Sequence, residues 1–304
     1  MSIQVQSITK TYGSQKALDK VSFSIQQGEI VGFLGPNGAG KSTMMKILTG
    51  YIPSDAGSAK VAGYNIQFHP LEVKRRVGYL PESNPLYPDM YVKEFLRFVG
   101  RLHGISGRTL SNRVAEMIEI TGLGLEQHKR AGTLSKGYKQ RLGLAAALIH
   151  DPEVVVLDEP TSGFDPNQLV EIRNLIRSLA GKKTVLLSSH ILQEVQAVCQ
   201  RVLILDKGQL VEDSPIDALA SGTSGAFVWL AEFEEELTQK QLIAIPGIKR
   251  VQPLDKKRWH LLSETDKGMA MTISRWAIEH GITLNGIQKE SRSLEEVFRE
   301  KTNN

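Results

Sequence analysis

The tightest constraint on this chain is the octapeptide Gly35-Pro36-Asn37-Gly38-Ala39-Gly40-Lys41-Ser42. It matches the pattern G-x-x-x-x-G-K-[ST] in the context where that pattern has physical meaning. The apolar run EIVGFLG, read as a buried strand, leads into it, and the helix-forming stretch Lys41–Leu48 follows. Glycines allow backbone N–H groups to close around phosphate oxygens, and the N-terminus of the next helix adds positive potential. Lys41 brings a full charge to the β- and γ-phosphates of a nucleotide, and the Ser42 hydroxyl is placed to ligate Mg²⁺.

A second element, Val154-Val155-Val156-Leu157-Asp158-Glu159, suits the same chemistry. Four apolar residues make a buried strand that delivers two carboxylates at its C-terminal end, where ligands sit in open α/β sheets. Asp158 is the expected Mg²⁺ partner, directly or through water. Glu159, one residue further, is expected to point the other way along the strand and to act on the attacking water. The plainer alternative is that both acids cap a helix near Pro160.

Periodicity organises the rest. Residues 1–30 read as β-rich, from the alternation in IQVQSITKTY and VSFSI. From Val92 to about Leu148, apolar residues recur at helical spacing in YVKEFLRFVGRLHG, NRVAEMIEITGL and KQRLGLAAALI, which predicts a helical insert at about 88–150. Strand-like VVVLD, TVLLSS and RVLILD then alternate with helical QLVEIRNLIRSLA and ILQEVQAVC, the order of a largely parallel sheet. SGTSG at 221–225 reads as a linker between a first domain, 1–220, and a second, 221–304. In the second, AFVWLAEF, LTQKQLIAI, IKRVQPL, RWHLLSE, MAMTISRWAIEHG and ITLNGIQKE read as βαββαβ, a small α+β, ferredoxin-like order.

Composition narrows the partners. No apolar run approaches the ~20 residues needed to cross a bilayer. MSIQVQSITK lacks a basic stretch followed by an apolar one, so no secretory signal is expected, and the single Cys199 fits a reducing cytoplasm. The net charge is only +4. The nearest things to a basic cluster, Lys74-Arg75-Arg76 and Lys256-Lys257-Arg258, are short enough to read as solvated helix or turn, so no nucleic-acid partner is expected.

Leu134-Ser135-Lys136-Gly137-Tyr138-Lys139-Gln140-Arg141 opens a helix shortly before the carboxylate strand. Alone, Ser135 reads as a helix N-cap. In this position, however, the segment resembles the LSGGQ signature of ATP-binding cassette (ABC) ATPases, with Lys136 for a glycine and Tyr138 for the glutamine. The resemblance implies a P-loop cassette with a mixed-sheet core that binds ATP and Mg²⁺. It implies further that Tyr12, in KTYG, stacks on adenine, though alone it reads equally as a core or edge tyrosine. Glu82, in GYLPE, stands where such proteins usually carry a glutamine that senses Mg²⁺. Gly163-Phe164-Asp165-Pro166 resembles the loop that crosses to a partner cassette, and His190, ending TVLLSSH, the histidine that contacts the γ-phosphate. The implied ATP site is therefore Tyr12, Gly35, Pro36, Asn37, Gly38, Ala39, Gly40, Lys41, Ser42 and Thr43, with Ser135 and Gly137 contributed by a facing copy. Lys41, Glu159 and His190 would serve catalysis, and Ser42, Asp158 and Glu82 the metal.

Such cassettes dimerise head to tail on ATP and drive integral-membrane permease subunits. With no spanning segment of its own, this one is expected on separate chains, at the inner face of the cell membrane. Soluble relatives acting on ribosomes resemble two cassettes in one chain, and those acting on DNA need a long coiled coil before the signature; neither feature is present. Within the transporters, MSIQVQSITKTYGSQKALDKVSF, GEIVGFLGPNGAGKSTMMKILTGY, VGYLPESNPLYPDMYVKEFL and SLEEVFREKT resemble the ATP-binding subunit associated with gliding motility in Bacteroidetes-type bacteria, in a class shared with drug, sodium and polysaccharide exporters.

Overall fold

Alternating burial of Ile3, Val5 and Ile8 defines the inward side of β1 (Ile3–Tyr12), which turns at Gly13 and Ser14 into the antiparallel β2 (Gln15–Ile25). The computed structural model describes residues 1–216, 218, 227–290 and 302. The expected linker at 221–225 and all of the closing SLEEVFREKT except Thr302 lie outside them. Two compact units emerge, Met1–Asp213 and Ser214–Asn304.

In the first unit β3 (Ile30–Leu34) is buried along its whole length and leads into α1 (Lys41–Leu48). There follow β4 (Ala56–Val61), β5 (Tyr64–Asn65), α2 (Pro70–Arg76) and β6 (Val77–Leu80). The helical insert consists of α3 (Val92–Leu102), α4 (Gly107–Ile120) and α5 (Lys136–Leu148). The chain then alternates through β7 (Val154–Asp158), α6 (Pro166–Ser178), β8 (Thr184–Ser189), α7 (Leu192–Val198), β9 (Arg201–Asp206) and β10 (Gln209–Pro215).

These strands form two sheets, an antiparallel one in the order β2-β1-β4-β5 and a larger one in the order β10-β9-β3-β8-β7-β6. In the larger sheet β9, β3, β8, β7 and β6 run parallel, so their apolar runs are buried on both faces. Between the sheets one core joins Ile3 and Ile8 of β1 to Phe33 of β3, Met44 and Leu48 of α1 and Val156 of β7. The register then decides where the chemistry falls. Leu34 pairs with Ser189, and Asp158 pairs with Ser188. The residues that follow β3, β7 and β8 therefore leave the sheet along one edge, the C-terminal edge of the parallel strands.

The second unit contains β11 (Phe227–Phe233), α8 (Gln239–Leu242), β12 (Ile248–Pro253), β13 (Arg258–Ser263), α9 (Met269–Glu279) and β14 (Leu284–Glu290). Its sheet order is β12-β13-β11-β14 with antiparallel neighbours, the split βαββαβ arrangement expected from the sequence. Trp229, Phe233, Leu261, Ile273 and Trp276 fill its core. The expected helix over LTQKQLIAI is only the four residues of α8.

Five of the six residues of the two basic triplets pair with acids. Arg75 and Arg76 reach Glu72 at 3.0 and 2.6 Å, and Lys256, Lys257 and Arg258 reach Glu236, Glu234 and Asp255.

Candidate functional site

The loop joining β3 to α1 is shaped by glycine. Gly40 caps α1 with φ at 107°, and a Cβ there would collide with the Ala17 carbonyl; at Gly35 it would collide with that of Leu205. Lys41 is 6% exposed, and its Nζ donates to the Gly35 and Pro36 carbonyls at 2.7 and 3.1 Å. Burial holds its pKa below the usual lysine range, while the nearby carboxylates of Glu159, Asp158 and Glu82 oppose that shift.

Asp158, 1% exposed, ends β7. Its Oδ1 accepts hydrogen bonds from Ser42 at 3.1 Å and from Ser188 at 2.6 Å. The Ser188 hydroxyl also accepts from the Glu159 N–H at 2.9 Å, so one serine of β8 holds both acidic positions. Nothing in the sequence singled Ser188 out, because a hydroxyl in an apolar run reads as a tolerated strand residue.

Glu159 departs from the strand geometry expected of it. It lies beyond β7, with φ at 50°, a left-handed conformation uncommon for a residue bearing a Cβ. Strand alternation therefore no longer sets its direction. Its Oε1 is 3.9 Å from Lys41 Nζ, and its Oε2 is 2.9 Å from His190 Nδ1. Burial raises the Glu159 pKa, with His190 and Lys41 acting the other way. A carboxyl so placed, buried yet bonded to an imidazole, is suited to take a proton.

Lys41 and Glu159 open on a cleft of about 410 Å³ lined by Tyr12, Asn37, Gly38, Gly40, Lys41, Ser42, Thr43, Glu82, Glu159 and His190, among others. Asp158 faces an adjoining hollow that Ser42 and Glu82 also line. Tyr12, the last residue of β1, is 52% exposed just before the turn into β2, and Glu82 is exposed at the rim. Gly35 and Pro36 contribute the carbonyls that hold Lys41, and Ala39 is buried behind the loop.

Ser135 and Gly137 do not line this cleft. Ser135 is exposed and caps α5, accepting from the Tyr138 N–H at 3.4 Å. Gly137 is buried, with no room for a Cβ beside Gln168 and Phe164. Lys136, the departure from the usual signature, donates to Ser162 at 3.2 Å and so ties the start of α5 to the turn that follows Glu159. Beyond Glu82, Asn84 anchors its loop by donating to the Lys139 carbonyl at 2.7 Å. Tyr87 packs edge-on against Phe98, at 5.5 Å between centroids, and remains exposed.

Comparison with known proteins agrees with this fold. A family model described as ABC transporter matches residues 18–162. The linearmycin resistance ATP-binding protein LnrL of Bacillus subtilis is 31% identical over 97% of this chain and 96% of its own length. The bacitracin transport ATP-binding protein BcrA of Bacillus licheniformis is 41% identical over 71% of each chain. Among solved structures, an ATP-binding subunit of an ABC transporter superposes with a TM-score of 0.68 at 27% identity, over 74% of this chain and 94% of its own. The dimeric cassette MJ0796 bound to ADP and Pi shares the fold, at a TM-score of 0.66 and 24% identity over 70% of this chain and 98% of its own.

Proposed function

The chain belongs to the family of ABC transporter ATP-binding subunits, and from that premise we propose that it is the ATPase of an exporter whose permease lies on separate chains. One observation carries the reading: Lys41, Ser42, Glu159 and His190 line a single cleft, with Glu159 set between the Lys41 ammonium and the His190 ring and Asp158 bonded to Ser42 at its wall.

In this reading the loop amides from Gly35 to Thr43 and the N-terminus of α1 receive the phosphates. Lys41 exchanges its carbonyl partners for phosphate oxygens. Tyr12, exposed at the cleft mouth, stacks on the adenine. Ser42 Oγ and Asp158 Oδ1 would hold Mg²⁺. They are hard oxygens 3.1 Å apart, and adjacent ligands of an octahedral ion with ~2.1 Å bonds lie about 3 Å from one another. When bound, the ion neutralises charge developing on the transferred phosphoryl group. Glu159 takes a proton from the attacking water, and His190 steadies that carboxylate and faces the γ-phosphate. Glu82, at the rim, follows the metal.

The exposed Ser135 and the first turn of α5 complete the site of a second copy, so that ATP bridges two cassettes head to tail. Hydrolysis removes the bridge and reopens the pair. The exposed residues of the segment 83–91, with the groove bounded by Tyr51, Tyr79, Pro85, Phe95 and Val99, suit an apolar helix of a permease. In this reading the protein works at the inner face of the cell membrane, and nucleic acid has no part in it. Among the described residues no helix is long and apolar enough to cross a membrane.

Antibiotic export is the cargo class suggested by the relatives, whereas linkage to gliding motility rests only on the sequence segments quoted above. The test is copurification of the tagged chain from its native membranes, with ATP hydrolysis measured with and without Mg²⁺. A membrane-spanning partner and Mg²⁺-dependent turnover are expected. A ribosomal or DNA-bound complex would replace the transport reading. Loss of gliding, rather than of antibiotic resistance, on removing the protein would select between the two systems.

A further inference from the structure

Glu194 is a buried acid that neither the motifs nor the cleft requires. It occupies the first turn of α7 and is 8% exposed. A single oxygen, Oε2, accepts a hydrogen bond from Thr161 at 2.5 Å and another from Ser189 at 2.8 Å. Thr161 stands two residues beyond Glu159, in the turn closed by the Ser162 N–H on the Glu159 carbonyl at 3.1 Å. Ser189 directly precedes His190, and its Oγ accepts from the Ile191 N–H at 3.0 Å, so it closes the backbone around the histidine. Thr161 and Ser189 are themselves buried. The backbone segments that carry the two halves of the Glu159–His190 contact are thus fastened to one atom.

Ser188 ties the end of β7 and the Glu159 N–H to β8, and the Glu194 oxygen adds a second buried tie one step further along each turn. Glu159 holds a left-handed backbone and His190 has an exposed side chain, so neither position is fixed by regular secondary structure. A buried hydroxyl deprived of its acceptor finds another partner or admits water, and either moves the turn. Displacement by about 1 Å of a group that positions the reaction costs about 10²-fold in rate.

From this geometry we infer that Glu194 is a positioning residue for hydrolysis, holding the turns of Glu159 and His190 in register through Thr161 and Ser189. The inference rests on the reading of the cleft given above. It requires that loss of the acceptor slow turnover without weakening nucleotide binding, since Lys41 and the loop amides remain in place.

The experiment measures kcat and KM for ATP, nucleotide affinity and Tm of the full chain for Glu194→Ala and Glu194→Gln, alone and with His190→Ala. Glu194→Ala should lower kcat about 10- to 100-fold, with KM and affinity changed less than about twofold. Glu194→Gln, which keeps an acceptor oxygen, should return to within about threefold of wild type. Combined with His190→Ala, Glu194→Ala should cost little more, because both changes break one unit. Should Glu194→Ala fail to fold, Thr161→Val against Thr161→Ser poses the same question with one methyl or hydroxyl changed. Wild-type kcat in the alanine variant overturns the inference. So does a loss fully additive with His190→Ala, or one that follows a drop in Tm and is not restored by glutamine. If Glu159→Gln and His190→Ala themselves turn over at the wild-type rate, the reading of the cleft fails first, and this inference with it.

Discussion

At the cleft Lys41, Asp158 and Glu159 are buried, and each is held by neighbouring groups. Lys41 is held by its own loop, Asp158 by Ser42 and Ser188, and Glu159 by His190. At the start of α5 the pattern is the reverse: Ser135 faces solvent and uses its hydroxyl on its own helix through a long 3.4 Å bond. Groups that need each other for stability stay aligned without ligand. A group that satisfies only a local cap is free to change partner when one arrives. The contrast separates a preorganised half-site for chemistry from a half-site for assembly.

The largest effect is expected from Lys41→Ala, which removes the only full positive charge named for the phosphates and should lower hydrolysis about 10³-fold. Phosphate release and nucleotide titration, read together, test it. A variant that binds and hydrolyses normally would break the comparison at its first term.

Glu159→Gln should lower kcat about 10²- to 10³-fold while ATP binding persists, because the amide cannot accept the proton. Light scattering with ATP should then detect a lasting dimer. Wild-type turnover would show that the cleft is organised around some other base.

Ser135→Ala probes the opposite side and should be mild in the isolated chain. The bond it loses is long and exposed, so about 0.5 kcal/mol of stability is expected, or about 1–2 °C in Tm. The dimer trapped by Glu159→Gln should nevertheless weaken about tenfold, since a phosphate contact across the interface is lost. Should the dimer be indifferent and the Tm loss larger, Ser135 is a cap and nothing more.

Why some of this was legible in the sequence and some not follows from how far apart the interacting residues lie. The phosphate loop is one contiguous segment whose glycines, lysine and serine each have a local reason, and its flanking strand and helix have clear periods. The helical insert and the βαββαβ unit were legible for the same reason. β5, with two residues, and α2, with seven, are too short to show a period. The helix expected over LTQKQLIAI stops at Leu242, and Ile245 is buried in the core of its unit beyond the helix end, so an apolar pattern outlasted the backbone that it suggested. Glu159 was read as one more strand residue because alternation was extended past the strand end, into a positive φ that no neighbouring residue announces. Ser188 acts across strands β7 and β8, and only their register reveals it.

Glu82 sharpens the comparison with the smallest effect. It lines the cleft beside Ser42 yet is exposed, so it belongs to neither the fastened set nor the capping one. Its carboxylate adds to the negative charge around Lys41 and Asp158, where phosphates must enter. If it follows the metal as a sensor, Glu82→Gln should keep an oxygen for that purpose while easing repulsion, and hydrolysis should stay within about twofold. Glu82→Ala removes the oxygen and should lower turnover more in the presence of the membrane partner than in the isolated chain, because a rim residue next to the segment 83–91 can carry a change in the metal site toward a docked helix. Were Glu82 the base instead, Glu82→Gln would be nearly inactive while Glu159→Gln stayed active. Comparing both variants with and without the copurified permease decides between these outcomes, and wild-type behaviour of Glu82→Ala in both settings removes Glu82 from the mechanism.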